Sequence, residues 1–210
     1  NFENHFPATS YRSVTIEANY RSSQQIIDCA EEMLKPVQFK SPKHGEAKGE
    51  FAGSDIPVTV FRCTSKALAA NELLTWITRE ETTASGNGPE RLLCLYRSRS
   101  AFDGRGNPWR HRVDIMSFHA SKGLEARSVC LIGDSGAFEH NPLKNLIYRR
   151  AGFQQTYDEA QHDESFRLLY VAMTRAAERC VWFVFPQKKG VSLHLDNIPP
   201  QLIAIVDVDK

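Results

Sequence analysis

The stretch Leu168-Leu169-Tyr170-Val171-Ala172-Met173-Thr174-Arg175-Ala176 closes one pattern and opens another. Before it, Phe166, Leu169, Tyr170 and Met173 recur at three- and four-residue intervals, which predicts a helix over 163–175. Just after it, Cys180 to Phe185 is an unbroken apolar run, the pattern of a strand buried on both faces. A helix feeding directly into such a strand is half of a β-α-β unit, so the fold class read here is α/β. Arg175 stands at the junction. Its guanidinium is always charged and forks onto pairs of oxygens, which suits phosphate. The plainer reading is that it stabilises the helix C-terminus.

The alternation continues outward. Val14 to Ala18 predicts a strand. Ser23 to Leu34 predicts a helix that Ser22 or Ser23 can cap, with Ile26, Ile27, Ala30, Met33 and Leu34 facing inward. Lys35 to Asp55 reads as a loop. Val58 to Cys63 predicts a strand and Ser65 to Glu81 a helix, with Leu68, Leu73, Leu74 and Ile77 inward. Thr82 to Pro89 is a turn. Leu92 to Tyr96, Val113 to Phe118 and Ser128 to Gly133 predict further strands, and Leu202 to Val206, after Pro199-Pro200, an edge strand. The expected architecture is an open, mainly parallel sheet with helices on both faces. In such sheets ligands are expected in the crevice beyond the carboxyl ends of the strands.

At 210 residues and 41% hydrophobic content the chain suits one large domain with a real core. Lys+Arg at 26 against Asp+Glu at 25 gives a net charge of +1, which neither demands nor excludes nucleic acid. Five scattered cysteines with no Cys-x-x-Cys pair read as buried reduced thiols of a cytosolic protein, not as a disulfide frame or metal site. No run is long enough to span a bilayer. The chain opens at Asn1, without methionine or signal peptide, so a fragment of a longer protein is expected.

Two further boxes carry chemistry. Asn19-Tyr20-Arg21-Ser22 follows the first predicted strand and offers a flat ring for a base and a fixed cation for phosphate. A strand end with a helix cap and a surface arginine accounts for it equally simply. Ser117-Phe118-His119-Ala120-Ser121-Lys122-Gly123-Leu124-Glu125 follows another strand. Ser117, His119 and Lys122 can donate to phosphates, Gly123 permits close backbone approach, and Glu125 can accept from a sugar hydroxyl. No Gly-x-x-x-x-Gly-Lys-Ser/Thr loop occurs, so the usual phosphate cradle is missing. Arg97, Arg99, Arg105, Arg110 and Arg112 surround Trp109 with Asp103 as the one acid among them, a pattern that fits either single-strand binding or a solvated loop. Asp158-Glu159-Ala160-Gln161 spells an acidic magnesium box, but the polar residues before it are no strand, so it is rejected.

Together the three boxes resemble motifs IV, V and VI of the UvrD/Rep-type superfamily 1 DNA helicases. Phe6-Pro7, Leu95-Tyr96-Arg97 and Gly136-Ala137-Phe138-Glu139-His140 resemble lesser elements of the same family. The resemblance implies the second RecA-like motor domain, a P-loop NTPase-type fold lacking its own phosphate loop, over residues 1–210. It implies a short basic connection at 98–112 in place of an accessory subdomain, as in helicase IV-like members. An insertion at 134–162 and a tail at 186–210 complete the division. By the same resemblance Tyr20 stacks on adenine and Arg21 and Arg175 reach the γ-phosphate. Gly123 lines that cleft, Glu125 contacts the ribose, and Ser117, His119, Lys122, His140 and Arg97 touch single-stranded DNA. ATP is the implied nucleotide, with Mg2+ held mainly by an N-terminal RecA-like domain, the implied partner beside single-stranded DNA. The chain alone is then expected to hydrolyse ATP negligibly.

Some positions depart from the family. Ser117 replaces threonine and keeps the hydroxyl. Ala126 replaces a phenylalanine, and Glu164-Ser165-Phe166-Arg167 replaces Glu-Glu-Arg-Arg, which favours a salt-bridged Arg167. A helicase–nuclease subunit and a non-catalytic DNA-binding module are the competing readings.

Overall fold

The computed structural model describes residues 17–38, 44–83, 92–97, 113–133, 140–184 and 194–209. Phe6-Pro7, most of the predicted first strand, the Arg99–Arg112 connection with Trp109, and Gly136 to Glu139 lie outside them.

Six strands form one sheet: β3 (Val58–Cys63), β4 (Leu92–Tyr96), β5 (Asp114–Ser117), β6 (Ala126–Ile132), β7 (Ala176–Val184) and β8 (Ile203–Val208). Their order is β5-β4-β6-β7-β3-β8, and every neighbouring pair is parallel. The interior strands β4, β6 and β7 carry apolar runs, Leu92–Tyr96, Val129–Ile132 and Cys180–Val184, as burial on both faces requires. The tail does supply an edge strand: β8 follows a turn of 3-10 helix at Pro200–Leu202 and pairs with β3.

Side chains alternate across the pleat and split the core in two. On one face Leu93, Leu95, Val129, Leu131 and Trp182 pack with α1 (Gln24–Met33) and α4 (Tyr157–Met173). On the other, Cys94, Cys130, Ile132 and Phe183 pack with Leu73, Trp76 and Ile77 of α2 (Lys66–Thr83). Helices therefore cover both faces. Trp182, Phe166 and Leu169 are 0–1% exposed, and burying each such side chain stabilises the fold by roughly 1.5–3 kcal/mol.

Three expectations need correction. The first strand is not part of the main sheet: β1 (Ala18–Asn19) pairs only with β2 (Glu46–Ala47), a two-residue strand inside the presumed loop. The long helix does not begin at Asp163 but at Tyr157. Thr156 accepts from the Glu159 amide and Glu159 from the Thr156 amide, a capping box that starts the helix two turns before its apolar stripe. Ser23 stands at the N-cap of α1, but its hydroxyl makes no cap bond, and the Ser22 hydroxyl donates instead to Ala176 O at 2.7 Å. Between β6 and α4 lies α3 (Pro142–Arg150), capped by the Asn141 side chain.

Candidate functional site

Hydrogen bonds tie the three boxes together. The Asn19 carboxamide oxygen accepts from the amides of Arg21 (2.9 Å) and Ser22 (3.1 Å), which fixes the turn into α1. Ser23 N donates to Ala177 O at 2.8 Å, and Ala126 N to Arg175 O at 3.1 Å. Residues from far apart in sequence thus share one small area of backbone.

The side chains follow. Arg21 Nε donates to Glu125 Oε2 at 2.6 Å, and its Nη1 lies 3.5 Å from Thr174 O. Arg175 Nε donates to Val171 O at 3.0 Å and its Nη1 to Leu124 O at 3.2 Å. Burial first, and then the nearby Arg21 guanidinium, pulls Arg175 below its ordinary pKa, while Glu125 offsets part of this. Two guanidinium groups and one carboxylate therefore form a cluster with one excess positive charge, and the Arg21 and Glu125 side chains remain 35% and 64% exposed. Such a cluster attracts an anion, and its guanidinium groups carry the donors that phosphate oxygens accept.

A cavity of about 470 Å3 opens beside it, lined among others by Tyr20, Arg21, Glu125, Glu31 and Tyr170. Gly123 and Arg175 are not in its lining. Tyr20 is 74% exposed, so its ring face is accessible. The β2 ribbon backs this cavity. Glu46 N donates to Glu17 O, Lys48 N to Asn19 O, and Glu31 accepts from Gly45 N at 2.7 Å and faces His44 Nδ1 at 2.9 Å. Sequence reasoning missed Asn19, Glu31 and this ribbon; an Asx residue just before an arginine was the available signal.

The cluster lies at the opposite edge of the sheet from the expected one. Glu125 and Arg175 immediately precede β6 and β7, and Ala126 pairs with Ala176, so these are the amino ends of the strands. The second box explains this: it starts at the carboxyl end of β5 and crosses to the amino end of β6. Gly123, at φ 86°, takes the left-handed turn that this crossing needs, and no atom would crowd a Cβ there.

The nucleic-acid candidates divide. Ser117 ends β5 in register with Tyr96, and Arg97 follows directly, so both lie at the carboxyl edge. The seven-residue length of β6 puts that edge about 20 Å from Ala126. Ser117 Oγ accepts from Ala120 N at 3.2 Å, and His119 and Lys122 are exposed on the same crossing. His140 lies elsewhere, at the start of α3, with Nδ1 at 2.6 Å from Asp158. Asp158 also accepts from Asn141 N and Asn145 Nδ2, so the rejected acidic box serves to join α3 to α4. Arg167 donates to Gln38 O at 3.0 Å and lies 3.6 Å from Asp163, a structural role.

Residues 70–183, more than half of the chain, match the sequence model of the UvrD-like helicase C-terminal domain. The chain belongs to that family. Over 69 residues, or 32% of its length, it is 44% identical to a putative ATP-dependent DNA helicase, YjcD, of Bacillus subtilis (strain 168), and the match spans 8% of that relative. Its fold is similar to the C-terminal domain of a possible DNA helicase from Lactobacillus plantarum WCFS1. The TM-score is 0.54 at 17% identity, with 89% of this chain and 98% of that one covered. This family member is therefore a helicase C-terminal domain with an α/β, all-parallel sheet.

Proposed function

We propose that this domain is the second motor unit of an ATP-dependent DNA helicase. It would close over ATP held mainly by a preceding RecA-like domain and turn closure and release into movement along single-stranded DNA and opening of duplex. The observation that carries this reading is the convergence of Arg21 and Arg175, from segments 154 residues apart, beside Glu125 on an exposed edge. Neither a nuclease nor a pure DNA-binding module needs that trio.

In the proposed cycle Tyr20 stacks on adenine, Arg21 and Arg175 neutralise charge on the transferring phosphoryl group, Glu125 accepts from the ribose, and Gly123 shapes the turn beside them. Arg21 is bonded to Glu125 in the present structure, so nucleotide binding would exchange that partner for phosphate oxygens. Ser117, His119, Lys122 and Arg97 would hold the DNA backbone at the other edge, with His140 contacting DNA from the base of α3. Among the described residues no group of three or more His, Cys, Asp or Glu is placed to hold a metal. Mg2+, which would supply Lewis-acid stabilisation of the phosphates, would be held mainly by the preceding RecA-like domain.

The test is DNA-stimulated ATP hydrolysis by the full gene product. Arg175→Ala is expected to lower kcat by roughly a thousandfold, the scale of a lost arginine finger, with single-stranded DNA binding unchanged. Unimpaired hydrolysis would remove the assignment.

A further inference from the structure

The helix α3 is well built, yet its aliphatic side chains Leu143, Leu146 and Ile147 stay exposed. Asn141 caps it, Pro142 occupies its first position, and Asp158 bonds it to α4. None of its nine residues is buried. Leu143, Leu146 and Ile147 are 66%, 43% and 55% exposed, and they fall at positions i, i+3 and i+4, one stripe of a helix. Gly152, at φ 79°, turns the chain beyond the helix, and Phe153, 61% exposed, lies tilted against Tyr148 at 4.8 Å. Scattered exposed apolar residues are ordinary on any surface; three on one stripe of a single capped helix point to an interface.

Charge identifies the occupant. Residues 141–153 contain Lys144, Arg149 and Arg150 and no acid. Lys144 is committed to Tyr157, at 3.0 Å from its hydroxyl and 4.3 Å from its ring centre. Arg149 and Arg150 are exposed at the end of the apolar stripe. The helix dipole accounts for cations at a C-terminus but not for the leucines and isoleucine beside them. Nucleic acid would account for the cations, since phosphates need only charge, but not for the exposed aliphatic Leu143, Leu146 and Ile147, which gain nothing against a polyanion. A recess of about 520 Å3 lies beside the stripe, lined by Leu146 and Arg149 among others.

We propose that α3 is a docking face for an amphipathic helix of a partner protein, with Leu- or Ile-type residues toward the stripe and Asp or Glu toward Arg149 and Arg150. The surface lies apart from the Arg21–Glu125–Arg175 cluster and stands whether or not the chain is a motor.

A displayed library of helical peptides, randomised in sequence and selected against the full gene product, tests this. Enriched peptides are expected to carry apolar residues at i, i+3 or i+4 with flanking acids. A selected peptide, synthesised, should bind at least about tenfold more weakly to the surface variant Ile147→Asp and more weakly at high salt. Enrichment of neutral or basic peptides, or binding indifferent to Ile147→Asp, overturns the proposal. Sedimentation of the unliganded protein is the second measurement. A dimer that Ile147→Asp dissociates would assign the face to a second copy and overturn it. So would loss of binding to a single-stranded oligonucleotide in the same variant, which would assign the face to DNA.

Discussion

Gly49 carries no candidate chemistry, yet it sits hard against the backbone of Tyr20. A Cβ there would lie 2.1 Å from the Tyr20 carbonyl oxygen, so any side chain forces the two backbones apart. Gly49→Ala is expected to destabilise the fold by about 1–3 kcal/mol and to weaken nucleotide binding by moving Tyr20. Thermal denaturation and ATP titration of the variant check both effects. The same ribbon holds a titration. The Glu31 hydrogen bond raises the His44 pKa above its ordinary value. Its contribution is therefore fully present below the unfolded-state value and is lost as pH rises through the folded one. An NMR titration should show the His44 pKa falling in Glu31→Gln, and an unchanged value would refute the pairing. Arg21, Glu125 and Arg175 were legible in the sequence because each belongs to a short ordered pattern. Glu31 and Gly49 were not, because their roles exist only once β2 folds back on β1, whereas the local Asx turn of Asn19 was readable in principle.

Among the elements, α2 is fastened to the sheet by a buried acid. Glu80, 7% exposed, accepts from Arg179 Nη1 at 2.9 Å and from the Ser128 hydroxyl at 2.7 Å. Glu80→Ala should cost about 2 kcal/mol in urea denaturation, below the usual loss for a broken buried pair. Arg179 is 30% exposed and keeps Glu178 at 3.7 Å, which softens the loss. A change within 0.5 kcal/mol, as at ordinary surface sites, would mean that the network adds nothing. Helix and strand types were readable from periodicity, but not every boundary was. The first turns of α4 are polar and show no stripe, although Thr156-x-x-Glu159 spelled their start. The crossing of the second box to the opposite sheet edge was also hidden, since no pattern states how an eight-residue connection is routed.

For the molecule as a whole, the α/β class and the helices on both faces followed from the alternation of runs. The strand order did not, because β8 reaches its place beside β3 only through long-range pairing. One feature of the finished core acts as a built-in timer. All five thiols are free and none is more than 3% exposed. Burial pushes Cys29 up to about 12 and Cys63 up to about 11, and it raises Cys130 and Cys180 as well. Alkylation requires an accessible thiolate, so the folded chain should resist iodoacetamide, and urea should expose all five sites at once. Mass spectrometry of adducts against time then reads the opening rate directly, with no dye or engineered probe. Glu80→Ala should run that clock faster.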